Sequence, residues 1–174
     1  QLDLSNNKIG CQGAVALANM LIINSSLLDL DLCCNKIHEK GAVAIAEALS
    51  MNSASKLSYL DLSCNEIGNL GAIALARALK KTNVRLKRLH LDLNRVGNAG
   101  VCALANSLKV NKMVASIDLH GNTFGEPGGL ALSEAIEMNS SIDVMTILLC
   151  VDNIGVGLVR AIRSVCDEKR NRMR

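Results

Sequence analysis

The stretch Leu30-Asp31-Leu32-Cys33-Cys34-Asn35-Lys36-Ile37 recurs along the chain with its spelling nearly intact. It stands earlier as Leu2-Asp3-Leu4-Ser5-Asn6-Asn7-Lys8-Ile9 and later as Leu60-Asp61-Leu62-Ser63-Cys64-Asn65-Glu66-Ile67. Leu89-His90-Leu91-Asp92-Leu93-Asn94-Arg95-Val96 and Ile117-Asp118-Leu119-His120-Gly121-Asn122-Thr123-Phe124 keep the template. A degenerate sixth copy runs from Ile147 to Ile154, with Asp152 in the Asn position. The first residues of the copies are 28, 30, 29, 28 and 30 positions apart. A fixed period of this length means stacked structural units, each too small to bury its own apolar face.

Each copy opens on apolar residues in alternation, the mark of a short strand. Eleven positions after the first residue stands a glycine: Gly13, Gly41, Gly71, Gly100 and Gly128. Behind it runs an Ala/Leu-rich stretch with helical spacing, such as residues 41–49. Small alanines on the inner face let each helix approach its strand closely. Polar loops around Asn24, Asn52 and Asn139 end the helices. The unit is strand, turn, helix, with strands expected at 2–4, 30–32, 60–62, 89–91, 117–119 and 147–149 and helices starting near the five glycines.

The pattern L-x-L-x-x-N-x-I-G-x-x-G before an alanine-rich helix resembles the ribonuclease-inhibitor-type leucine-rich repeat. That resemblance implies an α/β solenoid, a horseshoe segment with parallel strands on the concave face and helices on the convex face. It implies no enzyme chemistry and no cofactor by itself. His38 departs from the pattern by replacing the turn glycine. Residues 1–174 read as a single domain of six repeats with a closing helix over about 157–170. Gln1 falls inside a strand with no polar cap before it, so the sequence reads as part of a longer chain.

Composition narrows the function. The formal charge is only +3, and one Tyr, one Phe and no Trp leave little for stacking bases, so nucleic acid is not expected as a partner. Polar residues interrupt every apolar run well short of the roughly 20 residues of a membrane span. Seven cysteines, odd in number and without a C-x-x-C pair, read as reduced and mostly buried thiols of a cytoplasmic protein. The Asn column, Asn7, Asn35, Asn65, Asn94 and Asn122, reads as hydrogen bonding of corner backbone rather than as catalytic amides. The Gly-x-x-Gly turns lack the Lys-Ser/Thr of a phosphate loop. Asn24-Ser25-Ser26 and Asn139-Ser140-Ser141 are spelled as glycosylation sequons.

Side chains flanking the strand leucines point away from the core. The central column carries Asp3, Asp31, Asp61, His90 and Asp118; the preceding one carries Asp29, Tyr59 and Arg88; the following one carries Asp92 and His120. Six carboxylates therefore face one Arg on the inner surface of a chain that is basic overall. Two readings stand side by side: the family's ordinary Leu-Asp-Leu spelling, simply solvated, or a binding strip with Tyr59 as its anchor. His90 and Asp118 share a column, as do Asp92 and His120, so each His is expected to pair with an Asp on the next strand. A Zn²⁺ site from these four is the alternative, with the His–Asp pairing favoured. The functional reading is a non-enzymatic interaction scaffold that takes a Lys- or Arg-bearing partner segment on these ten residues. The alternatives are a GTPase activator resembling the Ran activators, or the ligand-sensing repeats of an NLR-type receptor. Ribonuclease inhibition is a further possibility, weakened by the scarcity of aromatic anchors.

Overall fold

The computed structural model describes residues 1–82, 84–139, 147–148 and 164. Six short strands form one sheet in chain order, all neighbours parallel: β1 (Leu2–Asp3), β2 (Asp29–Asp31), β3 (Tyr59–Asp61), β4 (Arg88–His90), β5 (Ser116–Asp118) and β6 (Ile147–Leu148). Between them lie α1 (Gly10–Ile23), α2 (His38–Met51), α3 (Gly68–Leu79), α4 (Asn98–Leu108) and α5 (Glu126–Met138), each packed on the next. This is the leucine-rich-repeat solenoid, with strands on its concave face and helices on its convex face. The expected closing helix lies outside the described residues except for Ser164, which is helical and exposed. Asp152 and the sixth corner also lie outside them.

Burial follows the repeat. Leu30, Leu60, Leu89 and Ile117 stand in register and are fully buried, as are Leu32, Leu62, Leu91 and Leu119 two residues on. From the helix side, Ala42, Ile45, Ala46 and their equivalents Ala72, Leu75, Ala76 close the core. The apolar layer is continuous through the stack, so each repeat contributes by covering its neighbours.

Two expected boundaries shift. Strands β2 to β5 start and end one residue earlier than the alternation implies, because the outer flanking residue already joins the ladder. The pairing continues past each strand end through Leu32 N–H to Asp61 O, Leu62 N–H to His90 O and Leu91 N–H to Asp118 O, all within 3.0 Å. The helices start two or three residues before the repeated glycines, which sit inside the first helical turn. There the glycine serves close packing. A Cβ on Gly41 would stand 2.6 Å from the Ile37 side chain and 2.8 Å from the Ala14 Cβ of the preceding helix.

The corners between strand and helix use left-handed backbone at regular positions. Asn6, Cys34, Cys64, Leu93 and Gly121 share one such position, and Lys8, Lys36, Glu66 and Arg95 share another. A third holds Gly10 and Gly68, with φ of 69° and 61°, and His38 at 57° in the second copy. A side chain there costs roughly 1–2 kcal/mol. His38→Gly is therefore expected to raise stability by about 0.5–1 kcal/mol, after glycine's extra freedom in the unfolded chain is set against that relief. The lost contact is an exposed ion pair, His38 Nδ1 to Glu66 at 3.6 Å, and Glu66 keeps Arg95 at 3.2 Å. A urea midpoint unchanged or lowered in the variant would show that the ion pair outweighs the backbone strain.

Candidate interaction site

The Asn column is structural. Asn65 is fully buried; its Oδ1 accepts from the N–H groups of Asn35 (2.9 Å) and Ile37 (3.2 Å) in the preceding corner. Its Nδ2 donates to the carbonyls of Leu32, Leu62 and Ser63 at 2.8–3.0 Å. Asn35 repeats this arrangement, and Asn94 and Asn122 repeat most of it. A second Asn ladder, unanticipated from the sequence, runs along the helix ends. Asn52 donates to Leu21 O and Asn24 O at 2.7 Å each, Asn111 donates to Leu79 O at 2.7 Å, and Asn139 donates to Leu108 O and Asn111 O. Asn139 is fully buried within it, so this sequon is closed to modification in the folded protein.

The outward column also has a structural duty. Asp3, Asp31, Asp61 and Asp118 each accept the backbone N–H of the residue two further on, at 2.8–2.9 Å. Each carboxylate thereby pins the turn that follows its strand. The solvated reading of the Leu-Asp-Leu spelling is half the account, since one oxygen of each is committed.

Asp61 is committed more fully. It is buried, and besides the Ser63 N–H its Oδ2 accepts the Tyr59 hydroxyl at 2.9 Å and faces His90 Nδ1 at 3.3 Å. Burial alone would raise its pKa, but the hydrogen bonds from His90, Ser63 and Tyr59 outweigh that and hold it at about 2. The bond to Asp61 in turn raises His90, against the opposing effect of burial, and the charges of Asp118 and Asp92 add to the rise. Burial, then the bond to Asp61, pushes the Tyr59 phenol up, so it stays a donor. Burial also raises Asp118, with Asp92 adding to it.

Tyr59 is held on three sides. Its ring meets the His90 ring edge-on, with centroids 5.2 Å apart at 89°. The Arg88 guanidinium lies 4.7 Å over its centroid, a cation–π contact. Arg88 also reaches Asp29 at 3.9 Å. The result is a half-buried aromatic with a fixed rotamer and a partly exposed face.

The expected square of His90, Asp118, Asp92 and His120 needs correction. His90 and Asp118 do stand in register, yet the imidazole turns to Asp61 on the opposite neighbour. Asp92 accepts the Ser63 hydroxyl, and His120 is exposed. Packing of His90 against the Tyr59 ring selects the side. Among the described residues, the group whose ligand atoms converge closely enough for a metal is Cys33, Cys34 and Cys64 instead. The thiols are a second correction, since Cys11, Cys33, Cys34, Cys64 and Cys102 are all partly exposed rather than buried.

Residues 1–18, 24–46, 53–76 and 82–105, just over half of the chain, match the Leucine Rich repeat family. The chain belongs to that family. Comparison with curated protein sequences finds no match. Among solved structures the fold is similar to leiomodin-1 actin-binding site 2, with a TM-score of 0.68 at 17% identity, covering 92% of this chain and 89% of that one. At this identity the likeness concerns the fold. Among the described residues no helix is long and apolar enough to cross a membrane.

Proposed function

We propose that this protein is a non-enzymatic interaction scaffold whose concave face takes a partner segment rich in Lys or Arg. The observation that carries the reading is Tyr59, clamped by Asp61, His90 and Arg88 in the middle of an acidic strip. A rigid aromatic contributes contact area at little entropic cost, and Tyr and Arg are the types enriched at interface hot spots. Asp3, Asp29 and Asp31 extend the strip on one side, and Asp92, Asp118 and His120 on the other. Asp61 acts through Tyr59 rather than by contact, because its oxygens are already engaged. The period of 28–30 residues with a full helix in each of the first five repeats supports the ribonuclease-inhibitor type. The free thiols support a reducing compartment, in keeping with a cytoplasmic scaffold.

The test is binding of Lys/Arg-rich peptides, with actin included as the first folded partner because the leiomodin domain is named for binding it. Tyr59→Ala is expected to weaken binding by about thirtyfold, the scale of a hot-spot residue, and Lys112→Ala to leave it unchanged. Affinity is expected to fall as salt rises. Equal affinity of the two variants for a partner so identified would remove the concave face from the interface.

A further inference from the structure

Three thiols meet at the corner joining the second and third repeats. Cys34 and Cys64 hold the same left-handed position one repeat apart, both with φ of 56°. That stacks their side chains along the solenoid. Cys33, the last residue before the corner, brings its Sγ within 3.4 Å of Cys34 Sγ. All three sulfur atoms lie within 4.8 Å of one another, and all three residues are partly open to solvent.

The corners that carry them are fixed. Asn6 N–H donates to Cys33 O, Cys34 N–H to Ser63 O and Cys64 N–H to Asp92 O, each at 2.9 Å. The buried amides of Asn35 and Asn65 brace the same turns from within. Side-chain rotation is therefore the only adjustment a ligand needs to ask for.

We infer that Cys33, Cys34 and Cys64 form a binding site for a soft monovalent cation, Cu(I), in three-coordinate thiolate geometry. With metal–sulfur bonds of about 2.3 Å, three sulfurs around one ion stand about 4 Å apart. Cys33 Sγ and Cys34 Sγ, at 3.4 Å, stand somewhat closer than that, and no pair of the three is farther apart than 4.8 Å, so small side-chain rotations reach it. Thiolate ligands select Cu(I), zinc or iron–sulfur clusters over oxygen-seeking ions. Zinc in a structural site asks for a fourth protein ligand. Among the described residues no His, Asp, Glu or further Cys joins this group; the neighbouring strand carboxylates are engaged elsewhere, Asp31 with the Cys33 N–H, Asp61 with Tyr59, His90 and Ser63, and Asp92 with the Ser63 hydroxyl. Three donors without a fourth suit Cu(I). As the three S–Cu bonds form, three thiol protons pass to solvent and nothing is oxidised or reduced.

Anaerobic titration of the reduced protein with Cu(I), supplied as its acetonitrile complex, tests the site through thiolate-to-copper charge-transfer absorbance and competition with a bathocuproine chelator. The expected result is one tightly held Cu(I) per chain. Cys33→Ser, Cys34→Ser and Cys64→Ser are each expected to lower the affinity by more than the roughly 10–100-fold that changes outside the ligand shell cause. Cys102→Ser, elsewhere in the solenoid, serves as the control and is expected to keep full affinity. Circular dichroism on each variant separates loss of the site from loss of the fold. Copper bound equally by the Cys64→Ser variant and the parent would overturn the assignment, as would stoichiometry that tracks total cysteine count. Retention of Zn²⁺ with no competitive uptake of Cu(I) would overturn it too.

Discussion

Replacing Asn65 by Ala is expected to cost about 3–5 kcal/mol of unfolding free energy, among the largest effects of single polar changes in the described solenoid. The amide makes five hydrogen bonds at full burial, to backbone groups of two successive corners. Alanine leaves those N–H and C=O groups without a partner where water has no ready entry. Asn65→Asp should be no milder, since the carboxylate keeps the two acceptor contacts but turns a negative oxygen on three carbonyls. Asn7→Ala provides the comparison at the same repeat position. Asn7 is exposed and its side chain makes two contacts, to Leu4 O at 2.9 Å and Ser5 O at 3.0 Å, so its loss should cost about 1 kcal/mol or less. Because repeats are coupled only to neighbours, Asn65→Ala should also broaden the urea transition as the two halves of the stack uncouple. Equal midpoints for the two alanine variants would show that the buried ladder is not what ties the corners together.

The contrast between those asparagines also shows what is legible in the letters. Column membership is, because the period repeats it; depth in the stack is not, because Asn7 and Asn65 are spelled alike. The strand leucines read correctly since alternation and period agree on them. The glycines mislead by two or three residues because what requires them is close packing inside the first helical turn, against the apolar side chain four residues earlier (Ile37 at Gly41, Val96 at Gly100, Phe124 at Gly128) and, from Gly41 onward, against the helix one repeat back. The helix-end ladder carries a signal in its spacing: Asn24, Asn52, Asn111 and Asn139 each follow the first strand residue of their copy by 22 positions. The Asn-Ser-Ser spelling draws attention to a modification instead. The thiol cluster is half legible. Cys34 and Cys64 share a column, while the approach of Cys33 depends on the left-handed corner that turns its neighbour back beside it.

The outward face is the least legible part, since an Asp flanks His90 on each side and the choice between Asp61 and Asp118 is made by an aromatic ring. That choice has a measurable pH signature. The folded-state pKa of His90 is raised, so its stabilising contribution is complete below the unfolded value of about 6.5 and disappears as pH rises through the folded value. Asp61 behaves in the opposite sense. Its folded pKa, about 2, lies below the unfolded 3.8, so its contribution is complete above 3.8 and is lost as pH falls through 2. The window of full contribution from the pair runs from about pH 4 to about pH 6.5, and the Asp61 part is worth roughly 2 kcal/mol. In an NMR titration His90 should titrate above the ordinary imidazole value of about 6.5. Asp61→Asn should bring it down, because the largest cause of the rise is removed while burial still disfavours the imidazolium; the fields of Asp118 and Asp92 remain and limit the drop. Asp118→Asn should move it less. The reverse order, with the Asp118 variant giving the larger fall, would put His90 back in the column pairing that the repeat spelling suggests and take Tyr59 out of its clamp.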